Sequence, residues 1–272
     1  MKHLRQTTGT HPRPATTATA PDSGPVVVLI DNPRIDNDAL EWAAAEAAAR
    51  GSDLRIVYAF PWTYLLDPGG NVTVELRGRV DAQAKVAAAV RRAGRVAPTI
   101  SISTCVVPGW GSRSLVREAR RAGDQALVVT SRSQCRLVRT IASRTGASLA
   151  VIGLADQQAA GSSAGRVVVD GGSLAATAFG FQSARRRASG ITIVGTVQRD
   201  ELSVWRKFFP GVDVRQRRTP DPTAGILLAE SLGAALTVVA RDHDGSSAYD
   251  VLRLAPGPVV LVGSGPRYRT RR

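Results

Sequence analysis

Two carboxylates stand at equivalent places in the sequence, each at the end of a short apolar run. Asp31 follows residues 26–30, and Asp170 follows residues 167–169. Both runs are rich in β-branched residues and lead through a turn into a helical pattern, which indicates a buried parallel strand followed by a crossover helix. Ligands of open parallel sheets bind outside the carboxyl ends of the strands, where the strand order reverses. We therefore expect Asp31 and Asp170 to lie at candidate binding sites.

The elements that position these carboxylates occur twice in the same order. In the first copy, strands are predicted at residues 26–30, 54–60, 100–107, 126–130 and 149–152, with helices at 39–50, 74–93, 113–122 and 136–144. In the second copy, strands are predicted at residues 167–170, 191–197, 212–218, 236–240 and 258–262, with helices at 174–187, 200–209, 223–232 and 247–254. This alternation predicts an α/β protein with two tandem five-stranded parallel open sheets and helices on both faces.

The repeat also predicts the division of the chain into domains. We expect a first domain at residues 25–155 and a second, shorter one at residues 165–264. Residues 156–164 contain Gly and Ser and are expected to form the linker between them. Residues 1–24 and 265–272 are expected to be basic tails, and the first is predicted to be disordered because its Thr and Pro residues offer little to bury.

The composition excludes several classes of protein. No apolar run approaches the ~20 residues that a membrane-spanning helix needs, and the N-terminus lacks the apolar core of a secretory signal, so we expect a cytoplasmic protein without a membrane partner. Cys105 and Cys135 are too few for a disulfide framework and lack metal-ligand spacing. Cys105 is assigned to the core, whereas Cys135 lies in an Arg-flanked loop, which leaves a redox role as an alternative. No nucleophile–histidine arrangement or carboxylate pair is present, so we expect neither a metal site nor an enzyme.

The formal net charge of +14 comes almost entirely from arginine. One interpretation is a compositional bias of the genome; the other is an attraction to phosphate-rich or otherwise acidic partners, since the guanidinium group is a planar fork of donors. Several arginines recur at spacings of three and four residues, which places them near one helical face. The candidate contact residues for a nucleic acid or an acidic partner are Arg113, Arg117, Arg120, Arg121, Arg136 and Arg139.

Several segments, taken in order, resemble one known family. They are Pro25-Val-Val-Val-Leu-Ile-Asp31, the Ala-rich helix that ends at Gly51, residues 54–62, residues 108–119 and residues 124–132, with further likeness at residues 205–214 and 258–262. Together they resemble the universal stress protein family in its tandem, actinobacterial-type form. The resemblance implies a Rossmann-like, adenine-nucleotide alpha-hydrolase-like fold with strand order 3-2-1-4-5 in each domain, and an internal pseudo-dimer of the two domains.

The resemblance also implies where a ligand would bind. Many members hold ATP with the adenine near the carboxylate after the first strand and the phosphates on a motif G-x2-G-x9-G-[S/T] after the fourth strand, where glycines let backbone amides approach the anion. Here the three glycine positions are held by Thr130, Ser133 and Ser143 in the first copy and by Ala240, His243 and Arg253 in the second. The candidate residues of this degenerate pocket are Asp31, Thr130, Ser131, Arg132 and Ser133. Arg132 and Arg136 can still bind an anion through their charge.

Three functional hypotheses follow from these residues. The first is a non-enzymatic stress-response protein that acts through macromolecular partners, with no cofactor because ATP binding is weakened or lost. The second is a basic factor that associates with nucleic acid or the ribosome. The third retains ATP in the first domain alone, in which case Asp31 and not Asp170 would matter for binding.

Overall fold

The computed structural model describes residues 24–32, 36–60, 72–108, 112–153, 162–219, 223–241 and 246–263. The strands are β1 (Val26–Ile30), β2 (Leu54–Phe60), β3 (Ile102–Pro108), β4 (Leu127–Ser131), β5 (Ser148–Ile152), β6 (Val167–Asp170), β7 (Ile191–Val194), β8 (Val214–Arg217), β9 (Leu236–Ala240) and β10 (Val259–Val262). The helices are α1 (Asn37–Arg50), α2 (Val72–Val96), α3 (Ser112–Arg121), α4 (Cys135–Arg144), α5 (Leu174–Arg186), α6 (Arg199–Phe208), α7 (Ala224–Glu230) and α8 (Ser246–Leu254). The predicted tails and most of the predicted linker lie outside the described residues.

The strands form one continuous sheet with the order β3-β2-β1-β4-β5-β10-β9-β6-β7-β8. Each half of this sheet has the predicted order 3-2-1-4-5 and is parallel, which confirms the fold class. The prediction of two separate sheets is wrong, because β5 pairs with β10 in antiparallel orientation, with Val259 opposite Val151 and Leu261 opposite Leu149. Pairing the two apolar edge strands satisfies their backbone groups and removes two exposed sheet edges.

The buried strands alternate their side chains between two helical layers. Val26, Val28 and Ile30 of β1 face the layer that contains α1, α2, α5 and α6. Val27 and Leu29 face the opposite layer, which contains α3, α4, α7 and α8. Because both faces of β1 are covered, its continuous apolar run is the pattern expected of a central parallel strand.

Helix boundaries follow local signals in most places. Gly51 ends α1 as predicted: it has φ 62°, and its amide donates to the carbonyl oxygens of Ala47 and Ala48. The second helix is predicted to end at residue 93, just before Gly94, but α2 continues to Val96. A single glycine costs a helix only about 1 kcal/mol, which the alanine-rich packing of α2 against the sheet outweighs. No helix of the described part of the chain is long and apolar enough to cross a membrane.

An ion cluster joins the two halves of the chain where α1 meets α5, in the same helical layer on one face of the sheet. The Glu46 carboxylate, whose side chain is 1% exposed, accepts hydrogen bonds from Arg50 at 2.7 Å and from Arg187 at 2.5 Å. The Arg50 guanidinium lies over the ring of Phe179 and that of Arg187 over Trp42. Burial acts to raise the pKa of Glu46, but the two arginines outweigh it and hold that pKa below its ordinary value.

Candidate functional site

The crevice at the carboxyl ends of β1 and β4 is bridged by side chains of the protein itself. One oxygen of Asp36, Oδ2, accepts hydrogen bonds from the backbone amides of Asp31 and Asn32, each at 3.0 Å. The same oxygen accepts a third hydrogen bond, at 2.8 Å, from Nε2 of Gln134. Asp36 is the N-cap residue of α1 and Gln134 that of α4. This single bond therefore ties together the two helix N-termini that border the crevice.

Asp36 is almost wholly buried, with 1% of its surface exposed. Burial raises the pKa of its carboxyl, although the hydrogen bonds from Asn32, Asp31 and Gln134 act in the opposite direction. Its second oxygen, Oδ1, is buried and has no hydrogen-bond partner among the described residues. Although Asp36 is the N-cap residue of α1, its side chain makes no capping bond and instead holds the turn that follows β1.

Asp31, the carboxylate that the sequence places at the binding site, lies at this turn with an exposed side chain. Burial of part of the group raises the pKa of its carboxyl. Its amide, not its carboxylate, contributes to the Asp36 cluster. In the second half, the carboxylate of Asp170 itself holds the turn that follows β6. Its Oδ1 accepts a hydrogen bond from the Gly172 amide at 3.0 Å. This is an Asx-type turn that needs no ligand.

The predicted hydroxyl residues at the end of β4 and in the loop after it bond to near neighbours in the sequence. Thr130 Oγ1 lies 3.4 Å from Gln134 Oε1, and the hydroxyl oxygens of Ser131 and Ser133 lie 2.9 Å apart. Thr130 is fully buried and Ser133 is exposed. The loop thus brings these residues close to the crevice, with their hydrogen-bonding groups engaged by neighbours in the loop.

Arg132, the predicted anion-binding residue, points across the junction between the two half-sheets. Its Nη2 donates to the carbonyl oxygen of Gly257 at 2.8 Å, and its backbone amide donates to that of Ile152, also at 2.8 Å. Gly153 leaves room for the guanidinium, since a Cβ there would lie 2.5 Å from Arg132 Nη1. Burial lowers the pKa of Arg132. The residue holds the loop before β10 against the first half-sheet.

Arg241 occupies the same place in the second half, directly after β9. Its Nη1 donates to the carbonyl oxygen of Thr145 and its Nη2 to that of Ala147, the latter at 3.0 Å. Its backbone amide donates to the carbonyl oxygen of Val262, just as the amide of Arg132 donates to the carbonyl oxygen of Ile152. Arg132 and Arg241 therefore form a pair of reciprocal contacts across the β5–β10 junction, which we call the arginine clamps.

The arginines that the sequence assigns to an acidic partner lie on two neighbouring helices. Arg113, Arg117, Arg120 and Arg121 of α3, and Arg136 and Arg139 of α4, are all exposed. The helices are tied together where Arg120 Nε donates to the carbonyl oxygen of Arg144 at 3.0 Å. We call these six residues the arginine face.

Neither α3 nor α4 carries an exposed carboxylate. Glu118 of α3 is 1% exposed, and its carboxylate is bonded to Arg55 at 2.7 Å and to Arg121 at 2.5 Å. The positive charge of the other arginines is thus directed at solvent. The described residues hold no group of three or more metal-ligating side chains.

Sequence reasoning missed Asp36, Gln134 and Arg241 as site residues. Asp36 and Gln134 are 98 residues apart, and no local pattern connects them. Arg241 could have been found from the sequence, because Arg241 and Arg132 each directly follow the fourth strand of their half. Aligning the two copies on that strand shows the shared arginine.

The parallel half-sheets of order 3-2-1-4-5, with a polar crevice where β1 and β4 end, define a Rossmann-like α/β protein. Residues 23–150 match the model of the universal stress protein family. The first half of the chain is therefore a universal stress protein domain, as the motifs of the sequence indicate. No curated protein matches the chain.

Solved structures match over most of the chain. A universal stress protein from Archaeoglobus fulgidus DSM 4304 is 13% identical, with a TM-score of 0.65 over 89% of this chain and 97% of that one. A protein of unknown function from Pseudomonas aeruginosa PAO1 is also 13% identical, with a TM-score of 0.53 over 89% and 92%. The cytoplasmic domain of a prokaryotic cation chloride cotransporter is 8% identical, with a TM-score of 0.53 over 89% and 96%. At these identities the likeness is one of fold.

Proposed function

We propose that this protein is a non-enzymatic, cytoplasmic stress-response protein that acts through a macromolecular partner and does not use the nucleotide of its family. The observation that carries the proposal is the hydrogen bond between Asp36 and Gln134, which spans the crevice where a nucleotide would lie. Arg132 supports it, because its guanidinium is bonded to Gly257 across the junction. The β5–β10 pairing supports an internal pseudo-dimer of domains at residues 25–155 and 165–264.

Isothermal titration with magnesium-ATP tests the loss of nucleotide binding. We expect no saturable binding at micromolar nucleotide, because a ligand would have to break the Asp36–Gln134 bond before it could enter. Gln134→Gly is the informative variant, since it removes the bridge and leaves the Asp36 cluster with its two backbone donors. Micromolar, magnesium-dependent binding by the unaltered protein would contradict the proposal.

A second candidate function is association with nucleic acid, and the arginine face is the observation that favours it. Exposed guanidinium groups from two packed helices present a surface of one charge sign, which is the electrostatic footprint of a phosphate-binding surface. An acidic protein would be attracted by the same charge. The two partners differ in the dependence of affinity on salt, because a polyphosphate releases condensed counterions on binding.

Binding of a single-stranded RNA across a salt series separates these partners. If RNA is the partner, the logarithm of affinity falls linearly with the logarithm of salt, with a slope of about −0.7 per phosphate contact. The double variant Arg117→Ala/Arg139→Ala should then reduce the slope by one to two contacts. Arg206→Ala, an exposed arginine on α6, is the matched control. An affinity for RNA that does not change with salt would exclude a nucleic-acid partner and leave an acidic protein as the candidate partner.

The third hypothesis, ATP retained in the first domain alone, is tested by a pair of substitutions. If it holds, Asp31→Ala weakens ATP binding and Asp170→Ala does not. Equal effects of the two substitutions, or none, would rule it out.

A further inference from the structure

A pocket of about 210 Å³ lies at the end of the arginine face, between the last turns of α3 and α4. Its charged lining residues are Arg120, Asp124 and Arg144, and it is also lined by Gly146. These residues lie near the amino ends of β4 and β5, whereas the crevice lies at the carboxyl ends of β1 and β4. The pocket is therefore a site apart from the crevice, and Arg120 makes it continuous with the arginine face.

The charged groups that line this pocket do not pair with one another. Arg120, Asp124 and Arg144 are all exposed, and the carboxylate of Asp124 forms no ion pair or hydrogen bond with any residue that the structure describes. Arg120 donates through Nε to the carbonyl oxygen of Arg144 at 3.0 Å, which leaves its terminal amino groups for a ligand. A carboxylate and two guanidinium groups thus line one pocket with hydrogen-bonding capacity to spare.

The backbone of the pocket is held in place by one of the arginine clamps. Arg241 donates to the carbonyl oxygens of Thr145 and Ala147, on either side of Gly146. Burial lowers the pKa of Arg241, and the negative charge of Asp124 acts against that shift. The terminal nitrogens of Arg241 are nevertheless bonded to the two carbonyl groups and not to the carboxylate. Gly146 leaves room for the carboxylate, since a Cβ there would collide with Asp124 Oδ1.

We propose that the pocket binds one guanine base of a single-stranded RNA whose phosphates lie on the arginine face. This rests on the second candidate function, association with nucleic acid, and names the base that the surface selects. The Asp124 carboxylate accepts hydrogen bonds from N1–H and the N2 amino group of guanine. Arg144 donates to O6 and N7, the bidentate contact that arginine makes most often with a base. Arg120 donates to a neighbouring phosphate.

The pattern of donors and acceptors selects guanine among the RNA bases. A carboxylate only accepts hydrogen bonds, and guanine alone offers it two adjacent donors. Adenine and cytosine each present one amino group beside a ring nitrogen that is an acceptor and would repel the second carboxylate oxygen. Uracil presents a single N–H between two carbonyl oxygens.

The form of the RNA follows from the same contacts and from the size of the pocket. N1–H and the N2 amino group are used by base pairing in a duplex, so only an unpaired guanine can present them to Asp124. At roughly 30 Å³ per water molecule, the pocket holds about seven waters, which is room for one planar base. The sugar and the phosphates then remain outside, on the arginine face.

Binding of two short single-stranded RNAs to the full chain tests the proposal: an oligouridine, and the same strand with one central guanosine. In fluorescence anisotropy at one salt concentration, we expect the guanosine to increase the affinity about tenfold, the discrimination given by one bidentate contact. Adenosine at the same position should give no such gain. Inosine, which lacks the N2 amino group, and 7-deazaguanosine, which lacks N7, should each lose part of it.

The outcomes separate the pocket from the arginine face. If both strands bind with the salt dependence of a polyphosphate but with equal affinity, the guanine pocket is overturned while the nucleic-acid function of the arginine face stands. If neither strand binds, association with nucleic acid is overturned, and the guanine pocket with it.

Substitutions locate the contact with the carboxylate. Asp124→Asn should abolish the preference for guanosine, although loss of a negative charge favours binding of any RNA to a basic surface. Gly146→Ala keeps every charge but places a Cβ where Asp124 Oδ1 lies, and should reduce the same preference. Asp200→Asn, which removes an exposed carboxylate from α6, is the matched control and should keep it. A preference that survives in both Asp124→Asn and Gly146→Ala would contradict the assignment.

Discussion

Removing the arginine clamps one at a time should weaken the junction between the two half-sheets by unequal amounts. Arg132 donates one side-chain hydrogen bond across the junction, to Gly257, whereas Arg241 donates two, to Thr145 and Ala147. Truncation to alanine removes these donors and leaves the carbonyl oxygens without them. We therefore expect Arg241→Ala to be the more destabilising of the two.

The magnitude follows from the number of bonds. A hydrogen bond from a charged donor contributes about 1.5–3 kcal/mol. Nε of each clamp arginine is buried without a hydrogen-bond partner in the described structure, which subtracts from the gain. We expect a loss of about 2 kcal/mol in the free energy of unfolding for Arg132→Ala and about 3–4 kcal/mol for Arg241→Ala.

Urea denaturation followed by far-ultraviolet circular dichroism measures these losses. Arg206→Ala, which removes an exposed arginine on α6, is the control and should change the free energy of unfolding by less than about 0.5 kcal/mol. In Arg132→Lys the charge remains, but the planar fork is lost, so we expect partial recovery. Losses below about 0.5 kcal/mol for both alanine variants would refute the clamp reasoning, and an equal loss for the two would refute the count of bonds.

Three other substitutions test packing and charge. Glu46→Gln leaves Arg50 and Arg187 without the buried carboxylate that they share, and should cost about 3–5 kcal/mol in urea denaturation at neutral pH. Because the pKa of Glu46 is lower in the folded than in the unfolded chain, this stabilisation is present above the ordinary carboxyl pKa and is lost as pH falls through the folded value. The variant and the unaltered protein should thus converge in acid, and a constant difference would contradict the ion cluster. Gly180→Ala places a Cβ 2.3 Å from Val169 Cγ2 and should cost about 1–3 kcal/mol. Gly94→Ala, a helical position with open space around it, should stabilise by about 0.5–1 kcal/mol in thermal melts, and a loss of stability there would contradict the packing of α2.

Local patterns were enough to predict the framework of the fold. The continuous apolar run before Asp31 predicts β1 at its observed bounds, and Gly51 predicts the end of α1 because a left-handed residue is needed there. The order 3-2-1-4-5 came from the resemblance, since several strand orders satisfy the same alternation of elements. The antiparallel junction was not predictable, because a run such as β10 reads alike whether its neighbour is parallel or antiparallel.

The chemistry of the crevice required distances that the sequence does not contain. Thr130 and Ser133 at glycine positions predict a degenerate phosphate loop. The Asp36–Gln134 bond was not visible in the sequence, since it depends on where the folded chain brings α1 and α4. The bond from Arg132 to the carbonyl oxygen of Gly257 was not predictable either, because its acceptor belongs to the other half of the chain.

Backbone amide hydrogen exchange at Asp31 and Asn32 is the most direct measurement of the closed crevice. Both amides donate to Asp36, so they report on the bridge itself. We predict that their exchange is slow and does not change when magnesium-ATP is added. We also predict faster exchange at both positions in Gln134→Gly, where the third bond to Asp36 is absent. Exchange in the unaltered protein that slows further at micromolar magnesium-ATP would show a nucleotide in the crevice and contradict the account.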